Sequence, residues 1–349
     1  MRKSLIFLPL VAILLGGCRG TKHYAESEYV RYLPWDRTED YKILQLGDIH
    51  MSQSDLHEEH FALIDRTIKA SNPDFIALTG DCFTYADKHT VKKLFDFIES
   101  HNIYWTYIFG NHDDQGYYSD TYIQRLCASS RYRQHCRFVN LEDDDVEGRS
   151  NFVINLRKNN DNTKAEYQLY FLDSHNYNFD TGEYDFIKQD QIDWYERMVN
   201  YSKDNYGGGE VVKSSMYMHI GFPEFTKIWD QSKSAEEQEN APLIGDMQEW
   251  AGSPSSDKGI FTKIKELGST QSVSCSHDHS NDSVIKYEGV YLCYGVHATN
   301  RIYCDDEGKK LGGQVIKIDH NDLSLSFKNY YANYANDEVL ETPAEGWAK

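Results

Sequence analysis

The chain has 349 residues, 40% hydrophobic and 14% aromatic, which is ample apolar material for one large or two ordinary domains and excludes a disordered chain. Its 36 basic residues face 55 acidic ones, for a formal charge of −19. Such a surface repels polyanions, so nucleic acid and anionic lipid headgroups are poor partners, and a small anionic substrate needs strong local positive charge.

Residues 1–17 read as a targeting segment: Arg2 and Lys3, an apolar stretch from Leu5 to Leu15, then small residues leading into Cys18. The stretch is too short for an ordinary membrane span. It resembles a bacterial lipoprotein signal, which implies that Cys18 is lipidated and becomes the mature N-terminus. An ordinary secretory signal with a chance cysteine is the alternative. Arg19 stands where an aspartate would favour inner-membrane retention, so the expected address is the cell envelope, anchored to the outer membrane on its periplasmic or surface face. Removal of residues 1–17 leaves 34 basic against 55 acidic residues, or −21. Residues 18–40 read as a lipidated N-terminus and tether.

Strand and helix signals then alternate. Strand Tyr41 to Leu46 precedes a helix from His57 to Ala70, strand Asp74 to Thr79 precedes helix Lys88 to Ser100, and strand Ile103 to Phe109 precedes helix Tyr117 to Ala128. This βαβαβ order implies parallel pairing under helical cover. The second half is richer in strands, at Asn151–Leu156, Tyr167–Leu172, Val211–Met218, Gln271–Cys275, Val290–Tyr294, Gln314–Ile318 and Leu323–Phe327, with helices around Ile187–Asn200 and Lys258–Leu267. No Pro-rich linker or composition break divides the halves. One domain over 41–330 is expected, with 331–349 as a tail that frays or caps it.

Polar stretches at Lys158–Thr163, Asp204–Gly209 and Gln231–Ser256 read as surface loops or insertions. The acidic run Glu142 to Asp145 reads as a solvated turn. Cys127/Cys136 and Cys293/Cys304 are close enough in sequence to bridge, while Cys82 and Cys275 read as buried thiols. No CxxC pair points to zinc held by sulfur.

Five polar motifs each follow a strand-like run: Asp48-Ile49-His50, Gly80-Asp81, Gly110-Asn111-His112-Asp113, His219, and His277-Asp278-His279. In an open α/β sheet the carboxyl ends of different strands converge on one crevice, so ligands scattered over more than 200 residues can meet there. Taken singly, an Asp at a strand end is most often a helix cap, and a lone His a hydrogen-bonded structural residue. Together they form a metal-ligand set. Mixed Asp/Asn/His donors suit first-row metals better than calcium or magnesium. In extended backbone, residues two apart point to the same side, so each Asp-x-His and His-x-His pair can reach one centre. Seven ligands suit two metals sharing a carboxylate.

The order of these motifs resembles the calcineurin-like metallophosphoesterases from about Tyr41 to His279. Linking segments are similar to the purple-acid-phosphatase-related branch: Phe171-Leu172-Asp173-Ser174, the Gln191 to Trp194 stretch, His219 to Phe225, and His277 to Asp282. The resemblance implies an α/β/β/α sandwich of two mixed β-sheets flanked by helices. It also implies two divalent or trivalent first-row ions, manganese, zinc or iron. Asp48, His50 and His279 would hold one, Asn111, His219 and His277 the other, and Asp81 would bridge them. A bridging hydroxide would then attack phosphorus in a phosphate ester, with a phosphomonoester favoured over a diester. His112, outside the ligand set, would protonate the leaving alkoxide or bind a phosphoryl oxygen, and Asp113 would hold its tautomer.

Two positions depart from the family pattern. Ser276 stands where glycine usually precedes the final His-x-His, and Thr84 stands where purple acid phosphatases carry their iron-bound tyrosine, so no tyrosinate colour is expected. Tyr85 reads as a packing or substrate residue, and His175 and His297 as exposed or core histidines outside any paired ligand spacing. The alternative to an enzyme is a non-catalytic surface lipoprotein that keeps the fold and binds a ligand or partner.

Overall fold

The segment Phe75-Ile76-Ala77-Leu78-Thr79 is buried at every position, the pattern of a strand covered on both faces. It is β3, the middle of three parallel strands, flanked by β2 (Tyr41–Leu46) and β4 (Tyr104–Ile108). The crossovers carry helices α1 (His57–Ser71) and α2 (Lys88–Ser100). α2 begins where the Asp87 carboxylate accepts from Thr90 N–H, and it buries a stripe of Val91, Leu94, Phe95 and Ile98. The computed structural model describes residues 22–53, 57–119, 121–159, 161–233, 241–299 and 310–349. The targeting segment, Cys18 and Cys304 lie outside them.

Two mixed sheets form the frame. In the six-stranded sheet, β15 (Leu340–Thr342), β14 (Leu325–Ala332) and β13 (Leu311–Ile318) extend β2, β3 and β4 through antiparallel pairing. The seven-stranded sheet runs β1 (Val30–Pro34), β5 (Phe152–Arg157), β6 (Tyr167–Phe171), β9 (Ser214–Tyr217), β10 (Thr270–Cys275), β12 (Val290–Tyr294), β11 (Val284–Tyr287). Its inner face stacks Phe152, Phe171 and Tyr217 and meets Phe75 of the other sheet, with ring centroids 6.3 Å apart. On its outer face, α4 (Gln189–Asn205) and α6 (Ile260–Leu267) bury Trp194, Tyr195, Met198, Ile260 and Ile264. The result is the expected α/β/β/α sandwich, and its two sheets are stitched where the carboxyl ends of the interior strands β2, β3 and β10 meet. Gln45 Nε2 donates to Cys275 O at 2.8 Å, and Thr79 Oγ1 and Ser276 Oγ share a hydrogen bond of 2.7 Å.

Several expectations need correction. Residues 30–34, read as tether, form edge strand β1 parallel to β5, and Leu33 and Trp35 enter the core. Five residues without strict alternation, buried only at Val30 and Leu33, do not register as a strand without their partner. Residues 331–349 take the second of the two courses expected for them and cap the domain: β15 adds an edge, and Phe327 bridges Ala348 through both backbone hydrogen bonds. The helix expected over 117–128 shrinks to α3 (Tyr122–Cys127). α5 (Pro223–Lys233) and β11 went unread. Cys127 and Cys136 are buried free thiols rather than the bridge their spacing allows. The acidic run is exposed but occupied, with Glu142 and Asp144 binding Lys22, Asp143 taking the Tyr29 hydroxyl, and Asp145 paired with His23.

Candidate metal centre

Four of the seven expected ligands have left-handed backbone: Asp48 (φ 54°), His50 (φ 47°), Asp81 (φ 49°) and His277 (φ 78°). This corrects the reason given for their convergence. β2 ends at Leu46 and β10 at Cys275, so neither x-spaced pair lies in extended strand, and tight turns beyond the strand ends aim the side chains. Each left-handed non-glycine residue costs about 1–3 kcal/mol and persists only where its surroundings enforce it. Here a backbone lattice does so. Asp48 N–H donates to Gly80 O at 3.0 Å, His50 N–H to Asp81 O at 2.9 Å, and Ser276 N–H to His219 O at 3.0 Å. His277 N–H reaches the Asp48 carboxylate at 3.1 and 3.2 Å. Gly80 (φ 90°) cannot be replaced, because a Cβ there would lie 2.6 Å from His219 Nδ1.

The lattice brings all seven residues to one buried point. Asp81 is its middle: Oδ2 lies 3.1 Å from His219 Nε2 and 4.0 Å from His50 Nε2, while Oδ1 accepts from His112 N–H at 2.7 Å. On one side His50 Nε2 is 3.1 Å from His279 Nε2, and His279 Nε2 is 3.7 Å from Asp48. On the other, His219 Nε2 is 3.1 Å from Asn111 Oδ1, and the His219 and His277 rings lie 5.2 Å apart. Two separate donor groups, Asp48/His50/Asp81 and Asp81/His219/His277, are each compact enough to hold one ion, and they share Asp81.

The outer nitrogens are already committed. His219 Nδ1 is 2.9 Å from Thr79 O, so Nδ1–H donates to that carbonyl and Nε2 keeps its lone pair for the centre. His50 Nδ1 is 2.7 Å from Thr84 Oγ1, which fixes Nε2 inward in the same way. Thr84 thus supports a histidine at the position where tyrosine would bind iron.

The electrostatics also call for cations. Burial drives Asp48 well above the ordinary carboxylate range and drives His50 and His277 well below the usual imidazole range. Burial also disfavours the charged forms of Asp81 and His219, but their contact outweighs it, holding Asp81 below the usual range and His219 up to about 10. Buried carboxylates packed among closely facing imidazole nitrogens are the donor chemistry of first-row ions, and the residues present fit two of them.

Asp113 does not take the place expected for it. Its carboxylate accepts N–H groups from Gly110 at 2.7 Å, Asp81 at 2.9 Å and Phe83 at 3.0 Å, binding two motif turns together. Burial and repulsion from Asp81 raise it to about 7. Gln115 Oε1, 2.9 Å from His112 Nδ1, is the group that faces His112. An i, i+3 partner in a turn is hard to recognise without the turn.

Ser276 is accommodated by a glycine on the facing strand. Its hydroxyl sits between Thr79 Oγ1 and Gln45 Nε2 and occupies the space over Gly47, where an added methyl would lie 2.0 Å from Ser276 Oγ and 2.7 Å from Thr79 Oγ1. Gly47→Ala should therefore destabilise the protein by about 3 kcal/mol, and adding Ser276→Gly should recover about 1 kcal/mol or more. Denaturant midpoints of the two single variants and the double variant check this; strict additivity would refute the packing argument.

Residues outside the motifs support the centre. Ser174 Oγ accepts from Ile220 N–H at 2.8 Å, next to His219. Gln191 joins Asp173 O at 2.7 Å to His175 Nε2 at 2.8 Å. The described part of the 231–256 insertion covers the last motif: Gly252 N–H donates to Asp278, and Asn281 Oδ1 accepts from Gln248 and Glu249. Tyr184, in the small hairpin of β7 (Tyr177–Asn178) and β8 (Glu183–Tyr184), sets its ring 4.3 Å from that of His277. His297, read as an exposed or core histidine outside the ligand set, is buried with its ring 4.1 Å from that of His279. Its place just past the end of β12 was the available signal. A cleft of about 360 Å3 opens beside Gly110, where Arg149 and His175 face the carboxylates of Asp114, Glu147, Asp173 and Asp185.

A family model described as calcineurin-like phosphoesterase matches residues 41–295. Phosphatase DCR2 of Saccharomyces cerevisiae is 28% identical over 285 residues, 73% of this chain and 47% of the yeast protein, so the chain spans about half of that relative's length. Probable inactive purple acid phosphatase 29 of Arabidopsis thaliana is 28% identical over 329 residues, covering 84% of this chain and 81% of the plant protein. A dimetal phosphatase from Danio rerio shares the fold, with a TM-score of 0.50 and 8% identity over 83% of this chain and 95% of that one. With the match running through all five motifs, the chain belongs to the calcineurin-like phosphoesterase family and has purple-acid-phosphatase-related proteins among its relatives.

Proposed function

We propose that the protein is a metal-dependent phosphoesterase that hydrolyses small phosphate esters, monoesters in preference to diesters. The observation that carries this reading is the sharing of Asp81 by two buried donor groups. When bound, two first-row ions would supply an activated water and neutralise phosphoryl oxygens. Asp48, His50 and His279 would hold one ion, and Asn111, His219 and His277 the other. Asp81 would hold both, and His112, at the partly exposed side of the centre, would move the proton to the leaving group. The mainly acidic lining of the adjoining cleft repels a polyanionic chain, so the positive charge that a small phosphate ester needs would come from the bound ions.

The test is turnover of a chromogenic phosphomonoester and diester by residues 19–349 loaded with manganese, zinc or iron. Two bound ions with phosphate release support the reading. Two ions without release on a broad ester panel favour the second reading, a binding protein that keeps the fold, which the words "probable inactive" in the plant relative's name keep in play.

The proposed address is the bacterial envelope, through a lipid on Cys18. Labelled palmitate should enter the full-length protein expressed in a bacterium and be lost in Cys18→Ala, which should also leave the membrane fraction. Equal labelling of the variant would overturn the anchor.

A further inference from the structure

His297 lies just past the carboxyl end of β12, beside the strand that delivers His277 and His279. Its backbone is locked to the turn that carries Asp48 and His50. Gly47 and His297 form a parallel bridge, Ala298 N–H donates to Gly47 O at 3.0 Å, and Thr299 Oγ1 donates to Ile49 O at 2.8 Å. From the other side Gly312 N–H donates to His297 O at 2.8 Å. The side chain is 1% exposed, and its ring centroid lies 4.1 Å from that of His279 and 6.0 Å from that of His50. His50, His279 and His297 each offer a nitrogen within 4.8 Å of the others. Metal–nitrogen bonds of ~2.1 Å put ligand atoms ~3.0–4.2 Å apart, so a small ring rotation brings this triad into coordination range.

We propose that His297 is an additional ligand of the ion held by Asp48, His50 and His279. That ion then has three imidazoles and two carboxylates, counting Asp81, whereas the ion on the Asn111 side has two imidazoles. The two sites differ in chemistry as a result. A third imidazole favours zinc or iron(II) over manganese at the His297 site, and it fills a position that would otherwise be open to solvent. The Asn111 side, with fewer protein donors, is left as the more open and more exchangeable of the two.

This inference rests on the dinuclear reading, and its test separates the two. Zinc is titrated against a chromogenic chelator into metal-free wild-type, His297→Ala and His297→Gln proteins, and cobalt(II) spectra are recorded in parallel. The expected result is two zinc ions in each, with the tighter affinity weakened 100-fold or more in both variants, the weaker affinity within threefold of wild type, and an altered cobalt visible band. The melting temperatures of the metal-free proteins report folding independently, and His297→Gln preserves volume and a polar atom should the alanine variant fail to fold. Wild type that binds fewer than two ions overturns the dinuclear reading and this inference with it. Wild type that binds two ions, with a folded variant of unchanged affinities and cobalt spectrum, overturns the His297 assignment alone.

Discussion

Asp81→Asn should lower kcat by about 10³-fold or more and weaken both metal sites together, because one carboxylate serves both donor groups. The substitution is nearly isosteric, and the local hydrogen bonds indicate which functions survive it. Oδ1 accepts the His112 N–H, a bond that an amide oxygen can keep, so the turn holds its shape. Oδ2 faces His219 and His50, where the amide nitrogen would now point a donor at nitrogens needed as lone pairs. Half of the formal negative charge available from Asp48 and Asp81 disappears with it. By contrast, Asn111→Ala removes a donor from one side only and should weaken one ion. Metal stoichiometry, steady-state rates and the melting temperature of the metal-free variant check the pair. Two ions bound at wild-type affinity, with kcat within tenfold, would refute the bridging role.

The ligand residues were legible in the sequence because the chemistry requires particular side chains at strand ends, and strand ends can be read from apolar runs. The parallel β2–β3–β4 unit was legible for the same reason. How the ligands converge was not. An alternation argument put His50 beside Asp48 and His279 beside His277, whereas left-handed turns do that work, and φ is not encoded in a three-residue motif that lacks glycine. Asp113 shows the same limit from another direction. A carboxylate adjoining His112 in sequence is the natural candidate for its partner, yet three backbone N–H groups from two turns outbid the imidazole for it. Edge strand β1 was missed because its five residues lack strict alternation and end in proline, and it exists through pairing with β5, more than 120 positions away. Ser276 looked discordant only while Gly47 was unpaired with it.

The strain at the four left-handed ligands also bears on the choice between enzyme and binding protein. Conformations that together cost several kcal/mol are maintained by a lattice of backbone hydrogen bonds across both sheets. A protein using only its outer surface gains nothing from aiming these side chains at a buried point.

His112→Ala should lower kcat by about 10²–10⁴-fold on an alkyl phosphate while leaving both ions bound. The residue is partly exposed at the edge of the centre, its ring centroid 5.2 Å from that of His50, and its backbone N–H is tied to Asp81. Gln115 Oε1 accepts from Nδ1–H, which turns Nε2 away from the turn and leaves it available for proton transfer. Gln115→Leu should therefore give a smaller loss of the same kind, on the order of tenfold. An alkoxide is a poor leaving group and needs its proton in the transition state, whereas nitrophenolate departs with little help. The penalty for losing His112 should shrink accordingly, to about tenfold or less on p-nitrophenyl phosphate. Rates on the two esters, with metal content measured on the same samples, decide the matter. Equal losses on both would remove the proton from His112 and leave it only the binding of a phosphoryl oxygen, while loss of an ion would place it among the ligands.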